Sequence, residues 1–233
     1  TQVAVNEDYD WSGVATVSVY SIDVPAMTNY TRSGANRYGD IIELGTAKQD
    51  LTLSRDRSFA FTIDKGNFND SMMVTRSGEA LSRTIDEVIV PEIDIYRLAA
   101  MNTAADANAK DDVTTDAAVS ASNAYSNFLL LQESLSNDLV PMTGRVAFLS
   151  AAYYGFLKQS NFVLASDVAQ GDRKSGDLGT VDGAKIVVVP ASYMPTNTAL
   201  ILTHPSATVS PRKLEDYKTH DNPPGINGWL VEG

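Results

Sequence analysis

The sequence has no cysteine in its 233 residues, which excludes disulfides, thiolate zinc sites and a cysteine nucleophile and agrees with synthesis in a reducing cytoplasm. Histidine is nearly as scarce: His204 and His220 are the two present, and they form no metal-ligand pair at helical spacing. No apolar run nears the roughly 18 to 20 residues of a membrane span, so no membrane partner is expected. Positive charge is also short. Against 29 Asp and Glu stand 18 Lys and Arg, and the formal net charge of -11 argues against a broad surface for nucleic-acid phosphates. No basic stretch followed by an apolar one opens the chain. It starts on TQVAVNEDYD without methionine and stops on the strand-like GWLVEG, so native sequence is expected beyond one or both ends.

What is present supports a sizeable core, since 43% of the residues are hydrophobic. VATVSVY (14–20) alternates like a strand, as do residues 58–64, where Phe59, Phe61 and Ile63 share one face. Between them GDIIEL and QDLTL are short strand candidates separated by Gly45, Thr46, Ala47 and Lys48, with Arg55, Asp56 and Arg57 following. This predicts a hairpin whose polar tip, residues 45–57, has few large apolar residues. Residues 69–108 carry Val74, Leu81, Ile85, Val88, Ile95 and Leu98 as one helical face. Pro91 should kink that helix or divide it. A second helix is expected from a cap at Thr115 or Asp116, with Ala121, Ala124, Phe128, Leu131 and Leu135 inward and Pro141 closing it. After it RVAFLS, AKIVVVP and TALILT read as strands, AAYYGFLKQ as a helix, and PRKLEDYKT as a short helix or extended arm. In GTVDGAKIVVVP the pair Asp182-Gly183 supplies a turn, and the four β-branched residues 186–189 predict a strand buried on both faces.

Several patterns imitate known sites and fall short. GDRKSGD (171–177) spaces its glycines like a phosphate loop, but Asp177 stands where the lysine belongs. Asp8, Asp10, Ser12 and Gly13 resemble the start of a calcium loop whose twelfth position is Val19, which supplies no carboxylate. A hydrolase built on His204 lacks a G-x-S-x-G elbow. Asp86, Glu87, Glu92 and Asp94 are candidates for an acid/base pair or, by default, a solvated or partner-facing helix surface. Asn29-Tyr30-Thr31 and Asn69-Asp70-Ser71 match the glycosylation pattern, which has weight only in a secreted protein. No catalytic, cofactor or metal site is expected.

Five phrases, in order, carry a resemblance: LTLSRDRSFAFTIDKGNFND, VIVPEIDIYRLA, GRVAFLSAAYYGFLKQS, GTVDGAKIVVVP and ALILTHPSATVSPRKLEDYKTHDNPPGINGWLVEG. Together they resemble the major capsid proteins of tailed bacteriophages and prophages, the Hong Kong 97-type shell fold, over nearly the whole chain. The resemblance implies an α+β fold with an extended E-loop hairpin, a P-domain holding a long spine helix, and a mixed α/β A-domain. Residues 1–35 would be the N-terminal strand region of the P-domain and 36–66 the E-loop hairpin and return strand, the E-loop itself covering about 36–59. Residues 67–143 would be the P-domain helices and 144–233 the A-domain and return. Members usually have an N-terminal arm and a further P-domain strand after the position of Gly233, and neither is seen here.

The function so implied is a non-enzymatic coat subunit that self-assembles as hexamers and pentamers into an icosahedral shell around double-stranded DNA. Scaffold and portal proteins would be further partners, and the DNA would be enclosed without sequence-specific binding, a role that suits an acidic wall. Assembly would take place in the bacterial host cytoplasm and the product would be the virion capsid. Lys48, Asp50, Arg55, Asp56 and Arg57 are the expected subunit-interface residues, with Pro91 and Gly183 structural. An encapsulin-type nanocompartment shell is the nearest alternative, a hydrolase the second.

Overall fold

The computed structural model describes residues 1–9, 16–70, 77–108, 118–160, 179–212 and 216–233. The chain divides into two compact units: Thr1–Glu7, Ala60–Ser210 and Asp216–Gly233 form the larger, and Asp8–Phe59 with Pro211–Glu215 the smaller. The smaller unit is an antiparallel hairpin of β1 (Thr16–Ile22) and β2 (Thr46–Thr52). In the larger, β3 (Ala60–Asp64) leads into α1 (Lys65–Asp70), and α2 (Ser77–Thr84) precedes α3 (Val90–Ala107) and α4 (Ala124–Asn137). Then come β4 (Val146–Ser150), α5 (Ala151–Gln159), β5 (Thr180–Val181), β6 (Ala184–Val189), β7 (Leu200–Thr203), β8 (Lys218–Asp221) and β9 (Gly228–Glu232).

Two sheets organise the larger unit. One has the order β3-β9-β8, all antiparallel, and the other β5-β6-β4-β7, in which β4 and β6 are parallel and the outer pairs antiparallel. Every residue of β4 is buried. Its alternation explains why: Ala147 and Leu149 pack with Phe128 of α4 and Tyr153 and Leu157 of α5, whereas Val146 and Phe148 pack with Leu98 of α3, Ala4, Val189 and Met194. The strand buried along its whole length is therefore β4; β6, predicted from its β-branched run to be buried on both faces, does send Ile186 to the first core and Val187 and Val189 to the second, but less completely. There the neighbour β5 is two residues long and Val188 is exposed.

The helix around Pro91 is not divided. Between α2 and α3, residues Ile85–Ile89 form a π turn in which the Val90 N–H bonds to the Ile85 carbonyl, five residues back, and Val90 itself has helical angles (φ -60°, ψ -47°). A wider turn just before a proline absorbs the donor that proline lacks. At about 1.5 Å per residue the helix from 77 to 107 extends roughly 45 Å. The π turn also shifts the register that an unbroken 3.6 period assumes. Val88 and Ile95, predicted inward, are exposed, while Arg97 and Leu98 are buried. Val74 and the cap candidates Thr115 and Asp116 lie outside the described residues. Helix α4 begins after Asn123, whose side chain accepts the Ser120 N–H at 2.7 Å, and it buries Ala124 and Phe128 as expected, with Gln132 beside them. Of the 211–219 segment, Lys218 and Thr219 belong to β8, where an arm or short helix was predicted.

Arg145 joins helix to sheet. It is 1% exposed, and its guanidinium donates to the Pro141 carbonyl at 3.0 Å, the Val140 carbonyl at 2.7 Å, the Gln132 carbonyl at 3.1 Å, Gln132 Oε1 and Ser136 Oγ at 3.1 Å. All five donors of the fork are used, and they tie Gln132 and Ser136 of α4 to the Val140 and Pro141 carbonyls of the loop that follows it. Arg145→Met would strand these oxygens in the interior, and a loss of roughly 3–5 kcal/mol is expected in chemical denaturation.

The β5–β6 turn has the backbone its sequence predicts. Asp182 and Gly183 both take positive φ (47° and 78°), as a two-residue hairpin of this type requires. Two contacts tie the turn to α4: the Tyr125 hydroxyl donates to Asp182 Oδ2 at 3.1 Å and Gln132 Nε2 to the Asp182 carbonyl at 3.3 Å. A Cβ on Gly183 would meet only the Met142 carbonyl at 3.7 Å, so the cost of a side chain there is conformational. Gly183→Val should lower stability by about 1–3 kcal/mol; an unchanged thermal melt would refute this account.

Candidate assembly surface

The hairpin unit gives its chemistry away by what it leaves exposed. Strands β1 and β2 pair with Ser18 opposite Asp50, Tyr20 opposite Lys48 and Ile22 opposite Thr46. The pairing continues past the strands, because the Asp23 N–H donates to the Gly45 carbonyl at 3.0 Å and the Thr31 N–H to the Arg37 carbonyl at 3.0 Å. Between these, the Thr28 hydroxyl donates to the Tyr38 carbonyl at 2.7 Å and the rings of Tyr30 and Tyr38 meet at 5.1 Å. The chain reverses over residues 32–36, where Gly34 has φ +104°.

That register corrects the predicted tip. Gly45 to Lys48 are not a turn: Gly45 sits opposite Asp23, and Thr46 to Lys48 are the first residues of β2. Lys48 and Asp50 lie two apart on β2, with Lys48 Nζ 3.0 Å from Asp50 Oδ1 and the Ser18 hydroxyl donating to the same oxygen at 2.6 Å. The Ser18 bond first, and Lys48 second, hold the Asp50 carboxyl below its usual range, while Asp50 raises Lys48. Arg55, Asp56 and Arg57 follow the end of β2, away from the reversal. The structure brings Lys48 and Asp50 together and leaves the other three apart from them in the ladder.

The signal that sequence reading missed is apolar. Tyr20, Ile22 and Val24 alternate along one edge of the hairpin, and the register brings Leu44 and Ile42 into line opposite. All are exposed: Val24 is 89% accessible, and Met27 and Ile41, on the other face, 100%. A contiguous apolar strip left in water marks a docking surface. Two strands alone are marginal in water, so this arm has little of its own to lose. Changing Ile42 and Leu44 together to serine should therefore shift the melting temperature of the subunit by less than about 3 °C.

The other candidate residues have local partners. His204 accepts the Ser206 N–H on Nδ1 at 3.2 Å, with Ser206 Oγ 2.7 Å away, and its Nε2 donates to the Thr143 carbonyl at 3.2 Å. Both ring nitrogens thus fasten the Pro205–Ala207 turn to the loop before β4. His220 meets Glu232 at 2.8 Å across β8 and β9. Arg83 chelates Glu87 at 2.9 and 3.1 Å, and the Thr1 hydroxyl donates to Asp94 at 2.6 Å, so these two carboxylates have partners other than each other. The calcium-like residues Asp10, Ser12 and Gly13 and the loop 171–177 lie outside the described residues. Among the described residues no cluster of three or more ligating side chains is placed to hold a metal, and no helix is long and apolar enough to cross a membrane.

No family model matches the chain, and no curated protein matches it in sequence. Solved structures do. One from Mycobacterium phage Che8 superposes with a TM-score of 0.68 at 19% identity, over 94% of this chain and 78% of that one. The capsid structure of cyanophage P-SCSP1u gives 0.67 at 12% identity, over 96% and 79%. This is a phage-capsid fold. The asymmetric unit of the mature capsid of bacteriophage PhiM1 agrees, with a TM-score of 0.57 at 12% identity over 94% and 76%. Such low identities leave the fold as the shared property, and the capsid fold here is α+β, with long helices packed beside several small sheets.

Proposed function

We propose that this chain is the major capsid protein of a tailed phage or prophage, arranged in the Hong Kong 97 manner. In this reading the β1–β2 hairpin is the E-loop, which moves its start from the expected residue 36 back to β1; the α2–α3 helix is the spine of the P-domain; and the β5-β6-β4-β7 sheet with α5 is the A-domain, joined by α4, which was expected in the P-domain. Copies of the chain meet as hexamers and pentamers and close an icosahedral shell around double-stranded DNA in the host cytoplasm, with scaffold and portal proteins as further partners. The subunit carries no catalytic role. Lys48, Asp50, Arg55, Asp56 and Arg57 line the base and shaft of the arm and contribute polar contacts to the neighbouring subunit.

The observation that carries this reading is the hairpin. A chain with a capsid fold over nearly its full length includes a hairpin unit whose apolar strip is open to water. In a monomeric binding protein or enzyme that exposure would be a liability; in a shell, an equivalent surface on every neighbour covers it.

The protein, expressed alone, is expected to sediment as closed shells visible by negative stain, and a persistently monomeric protein would overturn the proposal. Particles loaded with an enzyme and lacking DNA would favour the encapsulin alternative. The arm itself can be removed cleanly, because Asp23 and Gly45 already stand opposite each other. Replacing residues 24–44 by Asn-Gly should leave a soluble, cooperatively melting subunit that forms no shells. Normal shells from this variant would remove the arm from the assembly mechanism.

A further inference from the structure

We infer that residues 1–7 and 208–210 form one strap closed by a single pin, Arg97, and that this strap opens as a unit while the rest of the larger unit stays folded. Nothing in this device requires the shell reading above.

The two segments hold each other. Asn6 and Val209 form an isolated parallel bridge, in which the Asn6 N–H donates to the Thr208 carbonyl at 2.8 Å and the Ser210 N–H to the Asn6 carbonyl at 3.2 Å. Just before it a short turn is closed by the Ala4 N–H on the Thr1 carbonyl at 3.0 Å. A bridge this short needs a fixed backing to persist. Apolar burial supplies little of that backing: Ala4 and Val5 are buried and Gln2 and Val3 exposed, and the strap's share of the second core is Ala4, packed with Leu98, Phe148 and Met194. A side chain of one carbon contributes the least that an apolar residue can.

Polar contacts with α3 supply the rest. The Thr1 hydroxyl donates to Asp94 at 2.6 Å, and one turn further along the same helix face stands Arg97, 6% exposed. Its Nη2 donates to Glu7 Oε1 at 2.6 Å and to the Ser210 carbonyl at 3.4 Å, and its Nε donates to Ser210 Oγ at 3.1 Å. One guanidinium thus grips both segments, the first through charge and the second through hydrogen bonds. In a place shielded from water such a set is strong when complete and costly when partly broken, because the charge is left without its partner. Withdrawing Glu7 therefore loosens Ser210 as well. Glu7 and Ser210 are also the last residues of the larger unit at two of the points where the chain passes to the smaller, before Asp8 and before Pro211. Closed, the pin fixes both exits; open, it leaves more free chain at each.

Hydrogen exchange followed by mass spectrometry tests the device at the amides of Ala4, Asn6 and Ser210, with those of β4 as reference. In the unaltered protein the three strap amides should share one opening constant, at least a hundredfold larger than that of β4. Ser210→Ala removes a hydroxyl from the pin and leaves the backbone bridge in place. It should raise exchange about tenfold at Ala4 and Asn6 as well as at Ser210. Arg97→Met should raise all three further, and Arg97→Lys, which keeps the charge but loses the fork, should fall between the two. Gly183→Val, which weakens the sheet far from the strap, should speed β4 and leave the three strap amides unchanged.

A response to Ser210→Ala confined to one segment would show two independent contacts in place of a strap, and no response in either would show that the pin is idle. Strap amides that speed up with β4 in Gly183→Val would show that the segments open only when the whole unit unfolds. Each of these results overturns the inference and leaves the coat-protein reading untouched. If Arg97→Met fails to fold, the hydroxyl deletion and the Gly183 variant decide the matter by themselves.

Discussion

A guanidinium held by five oxygens, none of them a carboxylate, is the constraint around which the larger unit is built. Moving a charge out of water is costly unless every donor finds a partner, and Arg145 meets that condition with carbonyls and polar side chains at the end of α4. The same place supplies the electrostatics, since the C-terminal end of a helix carries partial negative charge. Once Arg145 is fixed, the start of β4 is fixed, and β4, buried along its whole length, contributes to both cores. Arg97 solves the same problem by another route, an ion pair with Glu7 at 2.6 Å supported by Ser210, and so ties the first residues of the chain to α3.

The consequence is a body that satisfies itself and an arm that does not. In the body, both faces of β4 are covered by helices and buried polar groups are paired: the Tyr153 hydroxyl, whose proton burial makes hard to remove, donates to the Ala124 carbonyl at 2.7 Å. In the hairpin β1 and β2 pair along their whole length, but the apolar strip has no cover within its own unit. Backbone pairing without side-chain burial specifies a shape at little net gain in stability. In the proposed shell such a subunit would enter assembly with its body already folded and with the arm as the part whose free energy depends on a neighbour.

Sequence reading recovered what rests on local rules. The Asp182-Gly183 turn, the β4–α5 junction, and the alternation of Phe61 and Ile63 were legible because each needs only a few adjacent residues. It failed where the answer lay in pairing across distance. Gly45 looks like a turn residue, and only its bond to Asp23 shows that it belongs to the ladder. The β-branched run of β6 looks more deeply buried than the mixed residues of β4, because neighbour length, not composition, decides cover. The inward face of the α2–α3 helix was misjudged at Val88 and Ile95 because a π turn leaves no mark on the sequence beyond the proline that follows it. Leu139 belongs to the same class: it takes φ +60° after α4, a conformation sequence rules assign to glycine or asparagine.

Exposed apolar surface and high net charge are usually weighed separately, yet in this chain each answers a hazard created by the other. An arm bearing Ile22, Val24, Ile42 and Leu44 in the open would stick to any apolar surface it met, and a charge of -11 on every copy keeps such encounters short. Repulsion alone would also prevent assembly. In the proposed shell the apolar strip would supply the attraction that overcomes this repulsion. Because a closed shell repeats its contacts many times over, each one can remain weak and still hold, which is the condition under which a misplaced subunit dissociates before it is enclosed.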